Sequence, residues 1–232
     1  MERDTGNAHR AAALRAAEQR AVRLFEEIVR RGLVCKGRTE SAVNRDVFEL
    51  AADLYGIERF WHKRIVRSGP NTLCPYRENP PDRTIEADDI VFLDLGPVFG
   101  TWEADLGRTY VVGADPVKLR LARDAEEAWA AGKAFFDTHP DVTGAQLYAH
   151  VVSLAAARGW EFGASHCGHL IGEFPHEHIQ GEEVRNYIHP DNAAPLRAPD
   201  GAGRPRDWIL EIHFVDRARE IGAFVEQLLT VP

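Results

Sequence analysis

Five residues of this chain could do metal chemistry together: Asp94, Asp105, His169, Glu211 and Glu226. Four carboxylates and one imidazole can hold two divalent cations, roughly 3.5–4 Å apart, and activate water between them. Asp94 lies inside the apolar run DIVFLDLG (89–96), Glu211 between Leu210 and Ile212, and Glu226 between Val225 and Gln227. A buried carboxylate must be paired, hydrogen-bonded or bound to a cation. One such residue is often a solvent-facing strand position. Three of them, with Asp105 and His169, point to a common cause. Oxygen-rich sets suit hard ions such as magnesium and manganese, and an added imidazole moves the preference toward manganese, iron, cobalt or zinc.

The elements that must position these residues follow from periodicity. A helix is expected over about 9–31, with Leu14, Ala17, Ala21, Leu24, Phe25, Ile28 and Val29 at helical spacing. Thr39 is placed to cap a second helix striped by Val43, Val47, Leu50 and Leu54 and stopped at Gly56. RFWHKRIV (59–66) reads as a strand. DIVFLDLG and RTYVVG (108–113) are two further strands around a turn. Asp115-Pro116 opens a long helix, and Thr143 with Gln146 makes a capping box for another. HCGHLIGEFPHE (166–177) is expected to be a strand running into a loop. The Pro- and Gly-rich run 189–207 reads as an exposed loop, and WILEIHFVD (208–216) and GAFVEQLLT (222–230) as closing strands. No linker or repeat divides residues 1–232, so one α+β domain is expected, with helices packed on an antiparallel or mixed sheet.

Composition limits the partners. Hydrophobic residues make up 44% of the chain and charged residues 28%, and the formal charge is −8. That acidity argues against nucleic acid, and no apolar run approaches a membrane span. The charged N-terminus lacks an apolar signal core, and Cys35, Cys74 and Cys167 read as free thiols, so a cytoplasmic protein is expected. Self-association into a homodimer is compatible with this pattern.

DIVFLDLGPVFGTWEADLGRTYVVG resembles the signature of the metallopeptidases related to methionine aminopeptidase, Xaa-Pro aminopeptidase and prolidase. Asp94 and Asp105 stand eleven positions apart, followed by Arg108-Thr109, and HCGHLIGEFPHE is similar to the family's next motif. The resemblance extends to the leading helices and the GRTE turn (37–40). It implies the pita-bread fold, a curved and mainly antiparallel sheet covered by helices. It also implies two divalent ions, manganese first, with cobalt, iron or zinc as alternatives. Asp94 would chelate one ion, Asp105 and Glu226 would bridge, and His169 and Glu211 would complete the second site. Glu211 would also carry a proton from water to the leaving nitrogen, and His176 would bind the substrate carbonyl as it becomes an oxyanion. The substrate would be a small peptide or a peptide-like molecule.

Three positions depart from the family pattern. Tyr76, eighteen residues before Asp94, stands where a substrate-binding histidine belongs, and the nearest upstream histidine is His62. Leu170 replaces a glycine beside the metal histidine. His213 follows Glu211 by two and, by strand alternation, shares its face, as a substrate contact or an extension of the site. His166, His178, Cys167, Trp102 and Arg108 read as wall, packing or ion-pair residues. Two other functions use the same residues: a creatinase-like relative acting on a non-peptide metabolite, and a non-catalytic binding module. The retained ligand set weighs against both.

Overall fold

The structure is a computed structural model and describes residues 2–176 and 183–230. His178 lies outside them. Two helices, α1 (Glu2–Arg30) and α2 (Glu40–Tyr55), lead into β1 (Ile65–Ser68) and a 3-10 turn at Gly69–Leu73. Then follow β2 (Ile90–Leu95), the small hairpin β3 (Val98–Phe99) and β4 (Trp102–Glu103), and β5 (Leu106–Val111). Helices α3 (Pro116–Thr138) and α4 (Gly144–Ala157) come next. Two short strands, β6 (Glu161–Phe162) and β7 (Leu170–Ile171), precede the long pair β8 (Asp207–Asp216) and β9 (Ile221–Leu228).

Local chemistry sets the helix ends as expected. The Thr39 side chain accepts from the Ala42 amide, and Gly56 closes α2 in the left-handed region. Asp115 accepts from the Val117 and Lys118 amides ahead of Pro116, and the Thr143–Gln146 box is complete. The segment 59–66 behaves differently. Its strand starts only at Ile65, so Trp61 and His62 lie on a loop, tied down where Phe60 bridges Pro97 and the Trp61 amide donates to the Gly96 carbonyl. The strand expected within 166–177 shrinks to the two residues of β7.

The sheet runs β1-β2-β5-β9-β8-β6, with β7 also on β8, and its neighbouring strands pair antiparallel. Alternation sorts its faces. Val91, Leu93, Leu95 and Leu106 pack under α1 and α2, while Leu210, Ile212, Ala223 and Val225 pack under α3 and α4. The neighbouring positions Asp94, Glu211 and Glu226 therefore point to the opposite face. No helix among the described residues is long and apolar enough to cross a membrane.

Helix α1 buries an acid, Glu18, which accepts the Leu228 amide at 3.4 Å. Burial lifts its carboxyl from 4.5 to about 7. The folded chain therefore keeps a proton that the unfolded chain loses above pH 4.5, and this contribution to stability is lost as pH rises through about 7. Glu18→Gln is expected to match the parent in urea unfolding near pH 4.5 and to exceed it by roughly 1–3 kcal/mol at pH 8. An equal difference at both values would contradict this.

Candidate metal centre

The centre is built on one line of residues running across the sheet. Asp94 of β2 pairs with Gly107 of β5, Gly107 with Glu226 of β9, and Glu226 with Glu211 of β8. Gly107 is required there, since a Cβ would fall 2.6 Å from the Phe224 ring and 2.9 Å from the Glu226 Cβ. Asp105, just before β5, reaches the same space with only 1% of its surface exposed.

His169 enters from the approach to β7. Its Nε2 lies 3.2 Å from Asp105, 3.4 Å from Glu226 and 3.6 Å from Glu211, and its Nδ1 donates to the Leu170 carbonyl at 2.8 Å. The five residues singled out by type and spacing therefore lie together. Donor atoms cluster within 4.8 Å of one another in two sets that share Asp105: His62, Asp94 and Asp105, and Asp105, His169 and Glu226.

The electrostatics of this pocket call for cations. Burial lifts the Asp94 carboxyl to about 7 against the pull of His62, and lifts Glu211 to about 7 against the pull of His169. Burial, reinforced by Asp105 and Asp94, pushes Glu226 well above its ordinary value. Asp94 Oδ1 and Glu226 Oε2 are buried without a hydrogen-bond partner. Buried oxygens left without a partner are costly unless a proton or a cation joins them. The donor set, carboxylates with imidazole, fits manganese, iron, cobalt or zinc.

Other residues fall less simply. His176 is held by Glu103, which accepts from its Nδ1 at 2.8 Å and from its backbone amide at 3.1 Å. Glu103 was not anticipated. It sits two residues before Asp105 in a hairpin too short to leave a periodic signal. Trp61 was also missed, and its ring lies 4.4, 5.3 and 5.1 Å from those of His62, His169 and His176. Tyr76 is about half exposed, with its ring 5.9 Å from that of His62. His213 shares the face of Glu211 but stands in the next row, between Phe92 and Phe224, where its Nε2 donates to the Thr72 carbonyl. Leu170 packs in the core under α3 and α4. Arg108 bonds to the Glu226 carbonyl and the Gln227 side chain, so it braces the strand that carries Glu226. His166 Nε2 lies 3.8 Å from Glu211.

The chain is similar to known proteins in sequence and in fold. The family model described as metallopeptidase family M24 matches residues 12–200. The chain is 26% identical over 170 residues to a Xaa-Pro dipeptidase of Pyrococcus horikoshii, covering 71% of this chain and 45% of that protein. It is 26% identical over 188 residues to methionine aminopeptidase 1 of Saccharomyces cerevisiae, covering 70% and 49%. Among solved structures, dipeptidase PepE from Mycobacterium ulcerans superposes with a TM-score of 0.76 at 27% identity, over 95% of this chain and 55% of that one. The X-Pro aminopeptidase from Thermotoga maritima superposes at 0.75 with 19% identity, over 98% and 62%, a likeness of fold. The chain spans about half the length of the two sequence relatives.

Added zinc or manganese at a hundredfold excess over its Kd is expected to stabilise the fold by about 2.7 kcal/mol, or roughly 5–10 °C in Tm, for each ion bound, reversed by chelator. Asp94→Asn is expected to raise the Tm of the metal-free protein, by relieving repulsion, and to remove most of the metal-induced rise. Differential scanning calorimetry of both proteins, with and without metal, checks both signs.

Proposed function

The chain belongs to metallopeptidase family M24 and has that family's pita-bread fold, and on that premise we propose that it is a dinuclear metal-dependent hydrolase cleaving an amide bond in a small peptide or peptide-like substrate. Xaa-Pro dipeptides are the first candidates, since a Xaa-Pro dipeptidase is among its relatives. The observation that carries this reading is the meeting of Asp94, Asp105, His169 and Glu226 in two donor sets that share Asp105, with Glu211 3.6 Å from His169. Unpaired thiols at Cys35, Cys74 and Cys167 suit a reducing compartment such as the cytoplasm.

Asp94, Asp105, His169, Glu211 and Glu226 would hold the ions, with Asp105 common to both sites. Two divalent ions, when bound there, would supply Lewis acidity and charge stabilisation for amide hydrolysis. Glu211 would take up a proton at its carboxylate and deliver it to the leaving nitrogen. His176 meets the substrate oxygen through Nε2, because Glu103 holds Nδ1. A buried carboxylate behind an imidazole fixes the ring's direction and supports its positive charge as the oxyanion develops. No serine or cysteine nucleophile is needed.

A second reading, an amide hydrolase for a non-peptide metabolite, is favoured by one observation. Trp61 occupies the space bordered by His62, His169 and His176, so a bulky aromatic ring stands beside the centre. Xaa-Pro and other short peptides, assayed beside small N-acyl amides with added manganese, separate the two. Turnover of peptides supports the first reading, turnover of N-acyl amides alone supports the second, and a metal-loaded protein that hydrolyses neither rejects both. With whichever substrate turns over, Glu211→Gln is expected to lower kcat by about 10²–10⁴-fold. His176→Ala is expected to cost about 10²–10³-fold, with Glu103→Gln costing less than His176→Ala.

A further inference from the structure

We propose that His62 is a sixth ligand of the metal centre, binding through Nε2 the ion held by Asp94 and Asp105. This rests on the metal-dependent reading above and assigns a residue outside the five-ligand set.

His62 Nε2 lies 3.1 Å from Asp105 Oδ1 and 3.4 Å from Asp94 Oδ1. These are separations at which one cation can be shared by all three atoms. Nδ1 lies 2.8 Å from the Lys63 carbonyl oxygen. A carbonyl can only accept, so Nδ1 carries the hydrogen, and Nε2 faces two carboxylates that either a second proton or a metal ion must join to it. That arrangement is repulsive without a positive charge between the three.

His169 is built the same way. Its Nδ1 donates to the carbonyl of the next residue, Leu170, at 2.8 Å, and its Nε2 faces Asp105 and Glu226. Anchoring one ring nitrogen on a carbonyl so that the other can bind an ion is how proteins orient metal-binding histidines. The two rings thus address opposite oxygens of Asp105, Oδ1 for His62 and Oδ2 for His169.

The surroundings fit an ion ligand better than a substrate contact. The His62 side chain is only 7% exposed. Tyr76, at the position where the resemblance places a substrate-binding histidine, stands at the exposed rim beside it. His62 is therefore not a relocated substrate histidine. Its ring is wedged beside Trp61, and Gly96 leaves the room for both, since a Cβ there would fall 2.3 Å from His62 Cδ2 and 2.4 Å from Trp61 Nε1. Asp94 Oδ1, buried and without a hydrogen bond, lies beside the ring. With His62 bound, each ion has one imidazole, and the donor set shifts from manganese toward zinc, cobalt or iron.

The test uses zinc. X-ray absorption of the fully loaded protein is expected to show one imidazole per zinc on average. Half an imidazole per zinc would mean that His169 acts alone and would overturn the proposal. After dialysis, His62→Ala and His62→Gln are expected to keep one zinc where the parent keeps two, with the lost ion bound at least about 10-fold more weakly. Added imidazole is expected to restore it in His62→Ala. Two zinc ions held with parental affinity in both variants would also overturn the proposal. A parent protein that binds no zinc at all would instead remove the metal-dependent reading beneath it. Should both variants fail to fold by circular dichroism, the absorption measurement on the parent decides.

Discussion

The structure turns on repulsion held in place by a sheet. Glu211 and Glu226 face each other across β8 and β9, and Asp94 lies in the same line on β2. Like charges directly opposite on neighbouring strands destabilise a sheet, and burial makes this worse. Asp105 adds a fourth negative group from the side. Such a line is tolerable only if protons or cations occupy it, so the site and the fold cannot be separated. Two apolar layers under the helices provide the stability against which this unfavourable row is maintained.

The balancing groups come from outside the sheet. His62 sits on the loop before β1, His169 on the approach to β7, and His176 beyond β7. Each is fixed by a contact at its Nδ1: the Lys63 carbonyl, the Leu170 carbonyl and the Glu103 carboxylate. Trp61 touches all three rings and links segments that are far apart in the chain. The carboxylates are therefore placed by strand register, and the imidazoles by single hydrogen bonds and one aromatic side chain.

This division explains what could be read from the sequence. A carboxylate in an apolar strand run contradicts its surroundings and is visible in a short window, which is why Asp94, Glu211 and Glu226 stood out. The order of the motifs then supplied Asp105 and His169. Alternation placed His213 on the correct face but could not say which row it joins. Its contacts with Phe92 and Phe224 put it one row away, bonded to the Thr72 carbonyl. His62 was hidden because RFWHKRIV has the composition of a strand, whereas only its last two residues are in one. Glu103 was hidden because its role depends on where β4 lies relative to His176, a long-range fact that no local pattern carries.

Gly107 has a consequence for the dimensions of the site. It leaves one empty position in the line, with Asp94 on the strand to one side and Glu226 on the strand to the other. Neighbouring strands are set roughly 4.7–4.9 Å apart by their backbone hydrogen bonds. The gap between these two carboxylate backbones is therefore about two strand spacings, a length determined by peptide geometry. The sheet acts as a fixed gauge for whatever sits in that gap. Loops around it can change in composition, and with them the chemical taste of the centre, while its span stays constant.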